Sequence, residues 1–147
     1  MSLSGLLGQW QVWAVLAACF AALTAIFAKV GIADVGSDFA TLLRTVVILA
    51  TLVLIVVGTG QWQSLNSVPG KSYIFIILSG LATGASWLCY FRALKLGEAS
   101  RVAPVDKMSV VLVALFGALF LGERLGTINW LGVLLIAAGA VLVAWKP

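Results

Sequence analysis

The chain has 147 residues, of which 63% are hydrophobic and 10% are charged, and its mean hydropathy is +1.15. This composition excludes a water-soluble globular domain, because too few polar residues remain to cover the surface of one. The net charge of +4 comes from Lys and Arg residues that are scattered around apolar runs, a distribution that argues against nucleic-acid binding.

Five segments are long and apolar enough to cross a bilayer, which takes about 20 residues in a helix. Each is bounded by charged residues, glycine, proline or turn-forming residues. Because irregular backbone is not stable against lipid, we predict an all-α integral membrane protein with five transmembrane helices, and at this length a single domain over residues 1–147. The predicted helices cover residues 10–30, 38–57, 72–96, 101–121 and 128–145.

The first predicted helix has no carboxylate in its middle, and neither does the second. A pump that exchanges protons for hydrophobic cations needs a titratable acid at that depth. The deep charges of the chain are mostly positive, which favours an anionic or zwitterionic cargo. We place Lys29, at the end of the first helix, at the mouth of a polar cavity.

Arg44 lies about two turns into the second predicted helix, on one stripe with Thr41, Thr45 and Thr51. An arginine at this depth is costly unless it faces protein or water. Two interpretations are open. Arg44 lines a polar cavity, or it snorkels to the interface while the threonines bond their own backbone.

The third predicted helix contains an aromatic pair followed by a cation, Trp87, Tyr90 and Arg92. This combination suits the wall of a cavity that holds a polar or anionic molecule. Gly80 and Gly84 form a GxxxG motif on a neighbouring face, and we expect it to support close helix packing.

The fourth predicted helix carries an adjacent acid and base, Asp106 and Lys107, about 9 Å from its start at Arg101. Lysine can snorkel from that depth, whereas Asp106 is too short to do so and needs a partner. Neighbouring helical residues point about 100° apart, so we expect this partner on another helix. Both residues are assigned to the polar cavity, since intramembrane charges predict function. Pro104 is expected in the first turn, where its missing N–H is tolerated.

The fifth predicted helix carries Gly132 and Gly139, two turns apart on one face, where another helix can approach closely. One chain does not distinguish packing within a subunit from packing between subunits.

Lys and Arg are unevenly distributed between the two ends of the predicted helices. One side holds Lys71 and Arg124. The richer side holds Lys29, Arg92, Lys95, Arg101 and Lys146. The positive-inside rule therefore predicts a cytoplasmic C-terminus and an external N-terminus.

Chemistry-bearing motifs are missing from the sequence. It contains no His, and its two cysteines, Cys19 and Cys89, match no metal or disulfide spacing. A nucleophile–base set and a phosphate-binding loop are also absent. We therefore predict no enzyme activity, no cofactor and no metal site.

Two stretches of the chain resemble a known repeat unit. Residues 93–144, with "LGERL" followed by "GVLLIAAGA", resemble the second part of an EamA-type domain of the drug/metabolite transporter superfamily. "TAIFAKVGIADVGSDFATLLRT" is similar to the first part, as found in short five-helix bacterial and archaeal members. Gly132 and Gly139 also resemble the dimer face of the small multidrug resistance proteins, although the membrane carboxylate of those proteins is missing.

The resemblance implies a ten-helix transporter fold of two inverted repeats, of which this chain supplies one. It further implies a homodimer, antiparallel by analogy with the ten-helix form. The Lys/Arg asymmetry favours one orientation instead, so a parallel dimer or an oppositely inserted partner stays open.

We therefore predict a secondary transporter subunit in the cytoplasmic (inner) membrane of a prokaryote, surrounded by lipid. It moves a small polar metabolite, anionic or zwitterionic, by alternating access as a dimer. Two alternatives stay open: an exporter or flippase of lipophilic cations or amphipathic lipid-linked molecules, and a non-transporting accessory subunit. The predicted cavity residues are Arg44, Trp87, Tyr90, Arg92, Asp106, Lys107 and Lys29.

Overall fold

The computed structural model of the protein describes residues 8–145, so Lys146, one of the cations used to predict orientation, lies outside the described residues. The described residues form six α-helices and one short 3-10 helix, Leu65–Ser67. The α-helices are α1 (Trp10–Gly31), α2 (Ser37–Gly58), α3 (Gly70–Leu96), α4 (Ala99–Asp106), α5 (Ser109–Phe120) and α6 (Thr127–Ala144).

Five segments of the described chain are long and apolar enough to cross a membrane. Four of them are single helices, and α4 and α5 together form the fourth span, Ala99–Phe120. The prediction of an all-α protein with five spanning segments is confirmed. The observed spans begin within two residues of the predicted starts and end within one residue of the predicted ends.

Most large apolar side chains on these helices are exposed. Phe20, Leu54 and Leu142 are 66%, 73% and 75% exposed, respectively. Apolar surface of this extent is unfavourable in water, whereas in a bilayer it contacts hydrocarbon that is equally apolar. The exposed faces therefore suit lipid.

The described chain divides into two compact units, and the division falls within α1. Unit 1 combines the residues up to Phe27 with those from Leu96 onward, and unit 2 runs from Ala28 to Lys95. Unit 1 thus holds α4, α5 and α6, and unit 2 holds α2 and nearly all of α3. The single domain over residues 1–147 stays a prediction.

The fourth span is interrupted in its middle, at Lys107 and Met108. The amide of Met108 donates to the carbonyl of Val105 at 3.0 Å, and the amide of Val110 donates to that of Lys107 at 3.0 Å. Both bonds reach three residues back instead of four, which is the tighter 3-10 pattern. The expected continuous helix over residues 101–121 is therefore two helices in sequence.

Pro104 lies inside α4, and its predicted place in the first turn was wrong. The helix begins at Ala99, two residues before the predicted start, because the chain turns into it directly after Glu98. Pro104 has no N–H to donate to the carbonyl of Ser100, so α4 lacks one of its regular hydrogen bonds.

The "LGERL" stretch forms a sharp turn at the end of α5. Gly122 has a φ of +67°, a left-handed conformation that favours glycine. The turn brings the amide of Glu123 back to the carbonyl of Gly117 at 3.0 Å. The Glu123 carboxylate lies over Gly117, where a methyl group would come within 2.6 Å of its Oε2 atom.

Candidate functional site

Arg44 packs against aromatic side chains of α3 in unit 2. Its Cζ atom lies 4.1 Å from the centroid of the Trp87 ring and 5.3 Å from that of Phe91. Phe91 is only 2% exposed, so the guanidinium rests on a buried ring. Cation–π contacts of this kind are stronger where water is excluded. The aromatic rings therefore hold Arg44 between α2 and α3.

Tyr90 extends the aromatic group around Arg44. Its ring makes an edge-on contact with Phe91 at a centroid distance of 6.5 Å, and it interacts electrostatically with Arg44. Three of the predicted cavity residues, Arg44, Trp87 and Tyr90, thus lie together. Phe91 was missing from the prediction, because a phenylalanine in an apolar run carries no signal of a polar site.

Arg44 has no ion-pair partner among the described residues. The threonines of its stripe bond their own backbone: Thr41, Thr45 and Thr51 each donate to the carbonyl four residues earlier at 2.8 Å. This self-bonding of the threonines is the one that the snorkelling interpretation expected, and the place of Arg44 in a cavity stays a prediction. Aromatic contact does not use up the five N–H donors of a guanidinium, so Arg44 retains donors for an anionic group.

Arg92 forms an exposed ion pair with Asp38 at the start of α2. Its Nη2 atom lies 3.1 Å from Oδ2 and donates to Oδ1 at 3.3 Å. The side chains are 66% and 59% exposed, respectively, and exposed pairs of this kind contribute little to stability. Sequence reasoning treated Asp38 only as a helix-start residue and missed this pairing. The feature of the sequence that indicated this pairing was a carboxylate at the end of a spanning segment.

Lys29 and Lys95 hold backbone carbonyls, and we call them the lysine clamp. Lys29 donates from Nζ to the carbonyl of Leu94 at 2.6 Å. Lys95 donates from Nζ to the carbonyls of Ile32 and Val35 at 2.8 Å and of Ala33 at 3.2 Å. Lysines near a helix C-terminus satisfy carbonyls that lack helical partners. The clamp gives Lys29 a structural contact, whereas its predicted place at a cavity mouth stays a prediction.

Asp106 and Lys107 pair with each other in unit 1. The Nζ atom of Lys107 lies 3.2 Å from Oδ2 of Asp106, and the side chains are 56% and 33% exposed, respectively. The expected partner on another helix was wrong, because the long side chain of Lys107 reaches the neighbouring carboxylate, although its amide still donates four residues back to the carbonyl of Ala103 at 3.1 Å. The common cavity of these two residues with Arg44 stays a prediction.

The four candidate packing glycines have open faces. A methyl group on Gly80, Gly84, Gly132 or Gly139 would meet no atom of the described residues within 4 Å. The predicted role of these four glycines in helix packing stays a prediction.

The comparison with known families is decisive for the class of protein. The model of the EamA-like transporter family matches residues 8–145. The chain belongs to this family. With its five spanning segments it is a multi-pass membrane protein of a transporter family, which points away from enzyme activity.

Three curated proteins are similar to this EamA-like chain. An uncharacterized transporter in the cobO 3′ region of a Sinorhizobium species is 67% identical over 136 residues, which cover 92% of this chain and 96% of that protein. An uncharacterized transporter of Pseudomonas aeruginosa is 27% identical over 66% of this chain and 32% of its own length. The transporter YxxF of Bacillus subtilis, also uncharacterized, is 28% identical over 96% of this chain and 44% of its own length.

No solved structure matches the chain significantly. Among the described residues no group of three or more Cys, Asp or Glu side chains could hold a metal ion. The Arg44 group in unit 2 and the Asp106–Lys107 pair in unit 1 stay the candidate functional residues.

Proposed function

We propose that the protein is a subunit of a secondary transporter that moves a small anionic or zwitterionic metabolite across the cytoplasmic membrane of a prokaryote by alternating access. Membership in the EamA-like family supports the transport class. The observation that carries the substrate class is Arg44, a cation that rests on aromatic rings and has no ion-pair partner among the described residues.

An arginine within a membrane span is costly, about 2.5–3.5 kcal/mol on insertion scales. Contact with Trp87 and Phe91 offsets part of this cost but does not neutralise the charge. A carboxylate or phosphate group of a substrate supplies the missing counter-charge through paired hydrogen bonds. In this proposal Trp87 and Tyr90 cover the apolar part of the same molecule.

The exposed ion pairs supply groups that can exchange partners during transport. Arg92 is held by Asp38 and Lys107 by Asp106. Since exposed pairs are weak, a substrate anion that binds either cation competes with the carboxylate at low cost. The transport cycle that we propose alternates between these two sets of contacts.

A complete transport pathway in this proposal needs two copies of the chain. The matched segments cover 32% and 44% of the lengths of the Pseudomonas and Bacillus relatives, and the greater length of these relatives supports assembly from two shorter chains. The open faces at Gly132 and Gly139 supply a surface for that assembly. Cation asymmetry favours a single orientation with the C-terminus in the cytoplasm.

The substrate class is tested by thermal unfolding of the detergent-purified protein with panels of small anionic, zwitterionic and cationic metabolites at matched ionic strength. A ligand at 100 times its Kd adds about 2.7 kcal/mol of stability. We expect an anionic or zwitterionic ligand to stabilise the wild type and Arg124→Gln but not Arg44→Gln. Arg124 is an exposed arginine of the α5–α6 turn and serves as the matched control.

Two results would overturn this proposal. Stabilisation by lipophilic cations alone would favour the exporter of such cations. An anion that stabilises Arg44→Gln as strongly as the wild type would exclude Arg44 from the site. Uptake of the stabilising ligand into proteoliposomes then separates a transporter from an accessory subunit, which binds without transport.

A further inference from the structure

Unit 1 contains an apolar pocket beside the interruption of the fourth span. Its volume is about 260 Å³. The pocket lies between residues on both sides of the α4–α5 junction and the last two turns of α6. Its lining residues are Val105, Met108, Ala140, Val141, Ala144 and Trp145.

A cation contacts the backbone of one residue that lines this pocket. Arg101, one turn before Val105 on α4, donates from Nη2 to the carbonyl of Ala144 at 2.5 Å, and Ala144 is a lining residue. This bond places the guanidinium at the C-terminal end of α6, where the last carbonyls of the helix lack helical partners. Arg101 is half-buried and forms no ion pair with a carboxylate of the described residues. Four of its five N–H donors are not engaged by this bond.

The chemistry of the pocket defines the molecule that fits it. Apolar cavities do not hold water, because water finds no hydrogen-bond partners there. In a bilayer such a pocket is filled by hydrocarbon. A guanidinium that contacts a lining residue adds a site for a negatively charged oxygen group, preferably a phosphate. One molecule that satisfies both conditions has an acyl chain joined to a phosphate headgroup.

We propose that this pocket is a binding site for an anionic phospholipid of the bilayer, with an acyl chain in the pocket and the phosphate group on Arg101. Trp145 is 72% exposed at the end of α6, a place typical of side chains at the headgroup level. In the predicted orientation, with a cytoplasmic C-terminus, this site faces the cytoplasmic leaflet. The site shares no residue with the Arg44 group and does not depend on which substrate is transported.

The test is lipid binding to the delipidated protein in detergent, measured by native mass spectrometry with dioleoyl phosphatidylglycerol. Val141 lines the pocket and is 54% exposed, so Val141→Trp fills the pocket without disturbing a buried residue. Leu142→Trp is the matched control, because Leu142 is the next residue of α6, is 75% exposed and does not line the pocket. We expect binding of one lipid that is about tenfold or more weaker in Val141→Trp and unchanged in Leu142→Trp.

The role of the cation is tested by Arg101→Gln, with Arg124→Gln as its control. Loss of one charge-assisted hydrogen bond weakens binding by about tenfold or more. Because Arg101 also holds the end of α6, Arg101→Gln is compared only if it unfolds as cooperatively as the wild type; Val141→Trp retains Arg101 and tests the site in either case.

Three outcomes would overturn the inference. Unchanged lipid binding in Val141→Trp would exclude the pocket. Equal binding of dioleoyl phosphatidylcholine would exclude recognition of net negative charge. Full competition by glycerophosphoglycerol, which has the headgroup without chains, would mean that the site takes a free phosphate and not a lipid.

Discussion

At the scale of single residues, four cations of unit 2, one each on α1 and α2 and two in the C-terminal part of α3, play different roles. Arg44 rests on aromatic rings, Arg92 pairs with a carboxylate, and Lys29 and Lys95 hold backbone carbonyls. The three kinds of contact leave different amounts of binding capacity for a ligand. A lysine whose ammonium donates to backbone carbonyls is engaged in holding the fold. An arginine whose guanidinium rests on aromatic rings still lacks a counter-charge.

The lysine clamp predicts a stability effect without an effect on ligand binding. Replacing Lys95 by Met removes the donor that serves three carbonyls; two of these bonds are exposed and water can replace them, so the net loss is about 0.5–1.5 kcal/mol. We expect the free energy of unfolding of Lys95→Met to fall by about this amount in chemical denaturation. The matched control is Lys71→Met, since Lys71 is an exposed lysine in the first turn of the same helix.

Equal stability of the two methionine variants would contradict the clamp. A second readout separates the clamp from the site. The shift in unfolding temperature caused by a bound substrate should be the same in Lys95→Met as in wild type, whereas it should be lost in Arg44→Gln.

At the scale of single elements, the turn after α5 depends on Gly122 more than on any other residue of "LGERL". An alanine at φ +67° is strained, because its Cβ approaches the neighbouring carbonyl, and the cost is about 1–2 kcal/mol. We expect Gly122→Ala to lower the unfolding free energy accordingly. Gly58→Ala is the control, since Gly58 is helical with open space around it, and alanine there should be neutral or stabilising by up to about 1 kcal/mol.

The measurement for this prediction is thermal unfolding of both variants in the same detergent. A Gly122→Ala protein as stable as Gly58→Ala would mean that the turn does not adopt the left-handed conformation. Gly117→Ala is expected to be milder, because the atom that it meets is the far end of the flexible Glu123 side chain.

The bounds of the helices could be predicted from sequence, but the interruption of the fourth span could not. Span length and apolar content are local properties, and the charged and turn-forming residues at each end mark them clearly. Across Met108 the apolar run simply continues, and the α-helical and 3-10 patterns use the same kind of residue. The change from backbone hydrogen bonds to the carbonyl four residues earlier to bonds to the carbonyl three residues earlier does not alter the hydropathy pattern.

Only part of the candidate site could be predicted from the sequence, and the reason is related. Unusual residues in a span, such as Arg44 and the Trp87–Tyr90 pair, are visible in the sequence because they are costly there. The partner of a charged residue is not visible when it lies far away in the sequence. Arg92 and Asp38 are 54 positions apart, and Lys95 and Ile32 are 63 positions apart. Local patterns predict that a charge needs a partner but not which residue supplies it.

At the scale of the whole molecule, the open glycine faces and the two longer relatives both concern assembly. In water such apolar faces drive helices together, but in lipid the drive comes from close packing at small residues. Gly139 is exposed and has no neighbour within 4 Å of a methyl group placed on it. A second copy of the chain is therefore the partner that we propose for this face.

A bulky residue at this position should weaken the proposed dimer. We expect Gly139→Leu to shift the purified protein from dimer to monomer in size-exclusion chromatography with light scattering, because leucine prevents close approach of the backbones. Ala138→Leu is the control, since Ala138 is the exposed neighbour on the same helix and points to a different face. A Gly139→Leu protein that stays dimeric would exclude this face as the interface.

The tighter turn at Lys107 and Met108 changes the angular phase of the fourth span. Each 3-10 residue advances about 120° around the axis instead of about 100°, so the stripe of side chains that starts in α4 does not continue at the same angle in α5. In an unbroken helix, some residues before and after this turn would share one face. Here their side chains therefore point in different directions. One transmembrane crossing thus presents two separately oriented surfaces, one along α4 and one along α5, to whatever surrounds it.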